Sequence, residues 1–188
     1  MRVLDFDNTI YEGESPYDFF RFALRRKPSV ARFLPPLALY AWRYSHEKSS
    51  LEELERATRR YLKPFLQSFD DIDALVSDFW DEHMCKVKHW YSPLPDDVII
   101  TGSFNYTMDE LQRRLGVGTV ICSTVNPETM ELEHLNFGDN KVKRFREVFG
   151  EDAVPDEFYS DNMIDLPMMK LARRAYLVRG NFIKLVEV

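Results

Sequence analysis

The sequence predicts an α/β fold in which a block of helices is inserted after the first strand of an open parallel sheet. Residues 1–4 form a short, largely apolar run that is typical of a strand. Helical patterns follow up to about residue 91, and from residue 92 onward short apolar runs alternate with helical segments. This alternation is typical of a parallel sheet, so the first strand and the later part of the chain are expected to form one sheet.

Four segments of the inserted block show helical patterns. The first begins at Ser15-Pro16, because proline suits the first helical position, and ends at Pro28. The second, residues 30–44, is apolar and aromatic, and Pro35-Pro36 makes it either one kinked helix or two short ones.

The third helix of the block is predicted from its start and the fourth from its periodicity. Ser50 and Glu53 have the spacing of a capping box. Apolar residues then recur at steps of three and four from Ile72 to Trp90, which predicts a helix of about five turns. The four helices together predict a small bundle.

The later part of the chain supplies the remaining strands. The continuous apolar run 98–100 is typical of a strand that is buried on both faces. Gly116 closes the helix that follows. Further strands are predicted at 117–125, 157–160, 175–178 and 182–186, with a hairpin return near 130–132 and helices at 140–149 and 166–174.

Composition narrows the class of protein. The chain has 188 residues, 45% hydrophobic residues and a net charge of −6, which disfavours general nucleic-acid binding. Cys85 and Cys122 are far apart, which argues against structural zinc and against a disulfide framework. The N-terminus enters a strand at once, so no signal peptide is expected and a cytoplasmic location is predicted. Oligomeric state is left open.

Residues 21–48 are unusually basic for this acidic chain. They carry seven Lys and Arg side chains and one acidic residue, Glu47. Two interpretations stay open: a solvated helical face, or a surface that attracts anions over a site or against a membrane.

Two carboxylates, Asp5 and Asp7, follow the first strand. Side chains at i and i+2 of an extended segment point the same way, so they are expected to lie close together unless the chain turns after Asp5. Like charges at that distance resist joint ionisation unless a cation or a proton relieves them. The pair fits either a metal site beside a nucleophile or a polar strand end.

Other polar groups follow later strands, and ligands of open α/β sheets bind outside the carboxyl ends of the strands. The groups expected at this edge are carboxylates, a hydroxyl with glycine-supported amides at a helix N-terminus, and an ammonium. They belong to Asp5, Asp7, Thr101, Gly102, Ser103, Lys141, Asp161 and Asp165.

Phosphoryl transfer is the chemistry that needs all of these groups together. A carboxylate attacks phosphorus only if a hard divalent cation neutralises both charges, and Asp5 and Asp161 would supply its ligands. Asp165 would steady the metal or its water. Asp7 is then free to act as general acid and later as base, with an aspartyl-phosphate between the two steps.

The phosphate itself needs further partners. The hydroxyl and amides of residues 101–103 would bind its oxygens at the N-terminus of a helix. Lys141 would neutralise charge on the attacked group.

Four motifs in the same order resemble the haloacid dehalogenase (HAD) superfamily, subfamily IB, in the branch that contains phosphoserine phosphatase. They are residues 5–10, residues 98–104, Lys141 within residues 139–142, and residues 160–165. The resemblance implies a Rossmann-like HAD fold with a C1-type helical cap, divided into a core of residues 1–11 and 92–188 and a cap of residues 12–91.

The resemblance also implies roles for individual residues. Asp5 would be the nucleophile and Asp7 the acid and base. Magnesium would bind Asp5, Asp161 and the backbone carbonyl of Asp7, and Thr101 and Lys141 would contact phosphate. Asn8 stands where the family most often has glycine, which is tolerable because asparagine accepts turn conformations.

The resemblance leaves the substrate open. Thr101 replaces the usual serine, and it keeps the hydroxyl but adds a methyl group beside the phosphate. Glu14 stands where phosphoserine phosphatases have an acid that meets the substrate amine, although a solvent-facing or helix-capping role fits it as well. Relatives that act as dehalogenases lack a carboxylate at the position of Asp7, so hydrolysis of a phosphate ester is favoured.

The sequence therefore predicts a magnesium-dependent phosphatase of a small phosphorylated metabolite. Two alternatives stay open: a phosphatase of lipid-linked or membrane-associated phosphates, suggested by residues 21–48, and a binding protein that keeps the fold without turnover.

Overall fold

The computed structural model of the protein describes residues 1–46 and 48–187. Glu47, the one acidic residue of the basic segment, lies outside them. The described chain forms a seven-stranded sheet in the order β4-β3-β2-β1-β5-β6-β7. Its strands are β1 (Arg2–Leu4), β2 (Val98–Phe104), β3 (Thr119–Val125), β4 (Leu132–His134), β5 (Glu157–Ser160), β6 (Ala175–Arg179) and β7 (Phe182–Val186).

The predicted α/β fold with a mostly parallel sheet is confirmed. Strands β1, β2, β3, β5 and β6 pair in parallel, and the two edge strands, β4 and β7, pair antiparallel to their neighbours. Strand β1 is central, and Val3 and Leu4 on it are completely buried. The carboxyl end of β1, where Asp5 follows, therefore lies between the ends of β2 and β5.

The described residues also form seven α-helices. They are α1 (Ser15–Arg26), α2 (Leu34–Ser45), α3 (Leu51–Leu66), α4 (Ile72–His83), α5 (Asn105–Leu115), α6 (Asp139–Phe149) and α7 (Leu166–Leu171). Short 3-10 helices span Pro28–Phe33, Met84–Lys86 and Met163–Asp165. In the described part of the chain, no helix is both long and apolar enough to cross a bilayer.

The prolines and the capping box predicted to start helices of the inserted block are found at helix starts. Proline stands in the first turn of both α1 and α2, and the 3-10 segment before α2 makes the second predicted region two pieces rather than one kinked helix. Ser50 and Glu53 form both hydrogen bonds of a capping box at the start of α3. Gly116 ends α5 with φ +69°, a conformation that costs glycine little.

Several predicted element boundaries were wrong, and the helix predicted at 166–174 ends at Leu171. Helix α4 ends at His83 instead of near Trp90, because Val87 leaves the helical conformation and pairs with Tyr11 in an isolated bridge. Residues 101–103 belong to strand β2, and α5 starts only at Asn105. The hydroxyl of Ser123 on the neighbouring strand donates to the carbonyl of Gly102 at 2.7 Å, which holds this stretch extended.

The helical block and the sheet share one hydrophobic core. Trp80 on α4 is completely buried and packs edge-on against Phe6 and Tyr11, with ring centroids 6.1 and 6.0 Å away. Its indole Nε1 donates to the carbonyl of Thr107 on α5 at 2.8 Å. Trp80 therefore joins the helical block to the segment that carries Asp5 and Asp7. The division into core and cap domains stays a prediction.

We expect Trp80→Ala to lower the free energy of unfolding by about 3–5 kcal/mol, because it removes a buried ring and leaves a cavity. Trp80→Phe is the matched control, since it keeps an aromatic ring and loses only the indole hydrogen bond; we expect about half that loss or less. Urea unfolding followed by circular dichroism measures both. Equal losses for the two variants would contradict this packing role.

Candidate active site

Asp5 lies at the carboxyl end of β1 and is almost completely buried. Its backbone amide donates to the carbonyl of Tyr159 on β5 at 2.8 Å, which continues the strand pairing through this residue. Burial raises the pKa of Asp5 to about 8, and Lys141 opposes this while Asp165 adds to it. Burial therefore disfavours the ionised form of Asp5, which is stable only beside a positive charge.

Lys141 supplies the cation nearest to Asp5. It lies in the first turn of α6, and its Nζ is 2.8 Å from Asp5 Oδ1 and 2.8 Å from the carboxylate of Asp165. All three side chains are buried, and the two carboxylates keep the pKa of Lys141 above its usual value despite burial. The hydroxyl of Ser160 donates to Asp165 at 2.9 Å, which fixes that carboxylate in turn.

The carboxylate of Asp7 is hydrogen-bonded to an amide and a hydroxyl group, unlike Asp5, which contacts Lys141. Its Oδ1 accepts from the backbone amide of Ser15 at 2.6 Å, and its Oδ2 accepts from Ser103 Oγ at 2.7 Å. Thr101 Oγ1 is 3.5 Å from Oδ2. Burial raises the pKa of Asp7, and the hydrogen bonds from Ser15 and Ser103 oppose the rise. The two aspartates therefore have different surroundings.

The turn after β1 creates this difference. Asn8 has φ +56°, a left-handed conformation. Asparagine adopts it more readily than most residues, as expected at this position. The amides of Ile10 and Tyr11 both donate to the carbonyl of Phe6 at 2.9 Å, so the chain reverses at once. Asp7 thus leaves the strand direction and does not share the environment of Asp5.

Residues 101–103 lie beside Asp7 at the end of β2. Thr101 and Ser103 are buried, and Thr101 Oγ1 accepts from the amide of Ser103 at 3.1 Å. A Cβ on Gly102 would lie 2.4 Å from the ring of Phe137, so the close approach of that ring requires glycine. The predicted hydroxyl and glycine are present here, but on an extended strand.

Asp161 follows β5 and reaches the same edge. Its amide donates to Thr9 Oγ1 at 2.8 Å, and Thr9 Oγ1 donates to Asp5 Oδ2 at 3.2 Å, so one threonine links the two segments. Burial raises the pKa of Asp161, as does the charge of Asp165. Asp5 and Asp165 therefore contact Lys141 directly, and Asp161 is joined to Asp5 through Thr9.

The donor set fits a hard divalent cation with a small number of protein ligands. Among residues 1–46 and 48–187, no three acidic, histidine or cysteine side chains form a ready-made metal cluster. Magnesium keeps several waters and commonly uses one or two carboxylates. Asp5 and Asp161 could supply these, together with the carbonyl of Asp7, whereas Asp165 is bound to Lys141 and Ser160.

A cavity of about 300 Å³ opens beside these residues and is lined in part by Asn8, Lys88, Asp161 and Arg179. Glu14 lies close by, and Asn8 Nδ2 donates to its Oε1 at 2.5 Å. Partial removal from water and the charges of Asp7 and Asp161 raise the pKa of Glu14 to about 7. Glu14 is exposed at the N-cap position of α1, and its side chain caps no amide there, so it lies at the solvent-facing rim of the acidic cluster.

Sequence reasoning missed five polar residues of this site: Thr9, Ser15, Lys88, Ser160 and Arg179. Thr9 and Ser160 lie inside the motifs of residues 5–10 and 160–165, and Ser15 lies next to Glu14, so proximity in the chain was the available signal. Lys88 follows α4 in the chain, yet its buried Nζ donates to the backbone carbonyl of Asn8. No spacing in the sequence could indicate that contact.

Comparison with known proteins identifies the family. The family model of haloacid dehalogenase-like hydrolases matches residues 3–170. The chain therefore belongs to this family, and the predicted resemblance and the predicted class of enzyme, a hydrolase, are confirmed. No curated protein matches the chain.

Solved structures with the same fold are distant in sequence. A protein of unknown function from Bordetella pertussis Tohama I is 18% identical, with a TM-score of 0.72 over 93% of this chain and 87% of that one. A HAD family hydrolase from Salmonella enterica serovar Typhi is 14% identical, with a TM-score of 0.61 over 91% and 59%. A phosphoserine phosphohydrolase-like protein from Francisella tularensis is 15% identical, with a TM-score of 0.52 over 93% and 84%. These likenesses show the fold.

The buried charge of Asp5 predicts a pH-dependent stability of the metal-free protein. Its pKa is about 8 in the folded state and about 4 in the unfolded chain. Between these values the folded state keeps a proton that the unfolded chain has lost, so stability falls as pH rises. Asp5→Asn should therefore stabilise the protein in chelator by about 1 kcal/mol or more at about pH 8, and by less at about pH 5.

Urea unfolding in the presence of EDTA at the two pH values measures this difference. Asp152→Asn is the control, because Asp152 is exposed. It should change the free energy of unfolding only slightly, and by the same amount at both pH values. A stabilisation by Asp5→Asn that is the same at both pH values would contradict the raised pKa of this carboxyl group.

Proposed function

We propose that the protein is a magnesium-dependent phosphatase that hydrolyses a small phosphomonoester through an aspartyl-phosphate intermediate. One observation carries this proposal: Asp5 lies 2.8 Å from Lys141, while the neighbouring Asp7 is held by Ser15 and Ser103. One carboxylate thus faces a cation and the other faces hydroxyl groups. This division suits a nucleophile beside a separate acid and base.

The phosphate would lie between Asp5 and the end of β2. Its oxygens would accept hydrogen bonds from the hydroxyl of Thr101, from the amides of Gly102 and Ser103, and from Lys141. Removing these buried donors from water strengthens their interaction with an anion. The position of Lys141 between Asp5 and Asp165 supports this role, because the carboxylates keep it charged.

The reaction would proceed in two displacements. In the first, a carboxylate oxygen of Asp5 bonds to phosphorus, the bond to the leaving oxygen breaks, and Asp7 donates the proton that this oxygen takes. In the second, water attacks the phosphorus while Asp7 takes its proton, and the carboxylate of Asp5 is released together with inorganic phosphate.

Asp5, Asp161 and the backbone carbonyl of Asp7 would hold the magnesium ion. When bound, the ion would neutralise charge on the nucleophile and on the phosphate. Asp165 would hold Lys141 in position and would steady the metal or its water.

Phosphate-ester hydrolysis is favoured over other reactions of the family by the presence of Asp7. The fold is shared with a phosphoserine phosphohydrolase-like protein, which agrees with a phosphatase but does not give the substrate. Glu14 would meet an amine of the substrate. Its Oε1 accepts from Asn8 beside the motif, and the nearby carboxylates of Asp7 and Asp161 would favour a cationic group there. An amino-bearing phosphoester is therefore the first substrate class to test.

The helical block would act as the cap that screens water and selects the substrate. Tyr44 on α2 packs edge-on against Phe137, which covers Gly102, with ring centroids 5.9 Å apart. We place the enzyme in the cytoplasm, and the two free cysteines, Cys85 and Cys122, are compatible with a reducing compartment.

Turnover of p-nitrophenyl phosphate tests the reaction directly. We expect magnesium-dependent release of nitrophenol that EDTA abolishes. Asp5→Asn should lower kcat by at least about 10³-fold, and Asp7→Asn by about 10²- to 10⁴-fold. Asp152→Asn, a change of the same kind on the surface, should leave kcat unaltered.

A wild-type protein that shows no turnover on this ester or on a panel of phosphorylated metabolites, yet binds phosphate, would favour the alternative of a binding protein. Undiminished turnover by Asp5→Asn would refute the mechanism.

Ser103 provides a second test because its hydroxyl donates to Asp7 at 2.7 Å. Ser103→Ala should lower kcat by about tenfold, the equivalent of one hydrogen bond to a charged group, and should change KM little. Ser103→Thr keeps a hydroxyl and should recover most of the loss. A change confined to KM would place Ser103 at the substrate instead of at Asp7.

A further inference from the structure

Helix α2 exposes an apolar stripe to solvent. Pro35, Ala38, Leu39 and Trp42 are all exposed, and their spacing of three, four and seven residues places them on one side of the helix. The exposed fraction is 52% for Leu39 and 47% for Trp42. We call these four residues the outer face of α2. Such a face usually carries charged and polar residues in a helix that packs on a core.

The opposite side of α2 is fixed to the rest of the protein. Leu37 is buried, and Tyr40 and Tyr44 pack against the hydrophobic core. Tyr44 also contacts Phe137 beside the proposed phosphate-binding residues. The outer face is therefore exposed on a helix that is held in place, and is not the inner side of a detached segment.

Cations flank the outer face. Arg32, Arg43 and Lys48 lie over the rings of Phe33, Tyr40 and Trp42, with distances to the centroids of 4.7, 5.9 and 4.5 Å. Their charged groups thus lie over aromatic rings, and the side chains of Arg32 and Lys48 are exposed to water.

These cations differ from two other basic residues of the segment, which form ion pairs. Arg25 and Arg26 on α1 pair with Glu82 and Asp78. Among the ion pairs of residues 1–46 and 48–187, none involves Arg32, Arg43 or Lys48. Positive charge at the outer face is therefore not cancelled by a described carboxylate.

We propose that the outer face of α2 binds the surface of an anionic lipid bilayer. Trp42 and Leu39 would enter the boundary between headgroups and acyl chains, and the flanking cations would contact lipid phosphates. Charge complementarity selects this partner, because the chain as a whole carries −6 and only a basic face can approach an anionic membrane.

This inference does not rest on the proposed phosphatase activity, because the outer face contains none of the site residues. The inference does, however, affect which substrate class is expected. A cap helix that lies on lipid and contacts Phe137 on its other side would bring the cleft close to phosphate esters at the membrane surface. The alternative of lipid-linked phosphates would then become the first substrate class to examine.

Vesicle co-sedimentation of the full chain tests the proposal. We expect binding to vesicles of phosphatidylcholine with about one third phosphatidylglycerol, and at least about tenfold weaker binding to pure phosphatidylcholine or at high salt. Tryptophan emission should shift to the blue on binding, because Trp42 is the exposed member of three tryptophans, whereas Trp80 is buried and Trp90 partly buried.

Two double variants separate the apolar from the charged contribution. Leu39→Ser with Trp42→Ser, and Arg43→Glu with Lys48→Glu, should each weaken vesicle binding at least about tenfold and leave turnover of p-nitrophenyl phosphate in solution unchanged. Phe182→Ser, which alters a ring that is 83% exposed on the edge strand β7, is the matched apolar control. Lys143→Glu with Lys170→Glu, two exposed lysines on other helices, is the charge control.

The two controls should bind vesicles like the wild type, and so should Asp5→Asn, which separates membrane binding from catalysis. Absence of binding to anionic vesicles, or equal loss in the controls, would overturn the proposal. Light scattering that shows a dimer which dissociates in the Leu39→Ser, Trp42→Ser variant would also overturn it, because a second copy would then cover the outer face.

Discussion

The site depends on one buried contact, in which the ammonium of Lys141 lies 2.8 Å from both Asp5 and Asp165. Without it, two buried carboxylates at the end of the central strand would face each other with no compensating charge, which is strongly unfavourable. The contact also joins distant parts of the chain, since α6 must pack where its first turn reaches the end of β1. Fold and chemistry are thus constrained by the same three side chains.

Small hydroxyl residues hold the remaining polar groups. Thr9 links Asp5 to the amide of Asp161, Ser160 fixes Asp165, and Ser103 fixes Asp7. Each hydroxyl both fills space and satisfies a buried acceptor, which a larger side chain could not do. The four acidic residues are consequently held in separate orientations although they lie within one small region.

The helical block contributes to the site through its core as well as its surface. Trp80 packs against Phe6, the residue between Asp5 and Asp7, so the position of α4 affects the active-site turn. Helix α2 reaches the site through Tyr44 and Phe137 on one side and exposes Leu39 and Trp42 on the other. A single helix therefore has one side for the cleft and one for a partner.

Local patterns were sufficient for most elements and for the residues that meet at the site. The capping box at Ser50 and the glycine stop at Gly116 depend on neighbours in the chain, and the sequence predicted both. The end of α4 was different, because Val87 pairs with Tyr11, a contact between residues far apart in the chain.

The same distinction applies to the site. The sequence by itself determined that the carboxylates, the hydroxyl and Lys141 lie at one sheet edge, because the ends of parallel strands share an edge. Only the tertiary structure decided their pairing: Asp165 with Lys141, Asp7 with Ser103, and Lys88 with the turn at Asn8. These pairings depend on side-chain directions and on how the helices pack over the strands, which residue spacing does not encode.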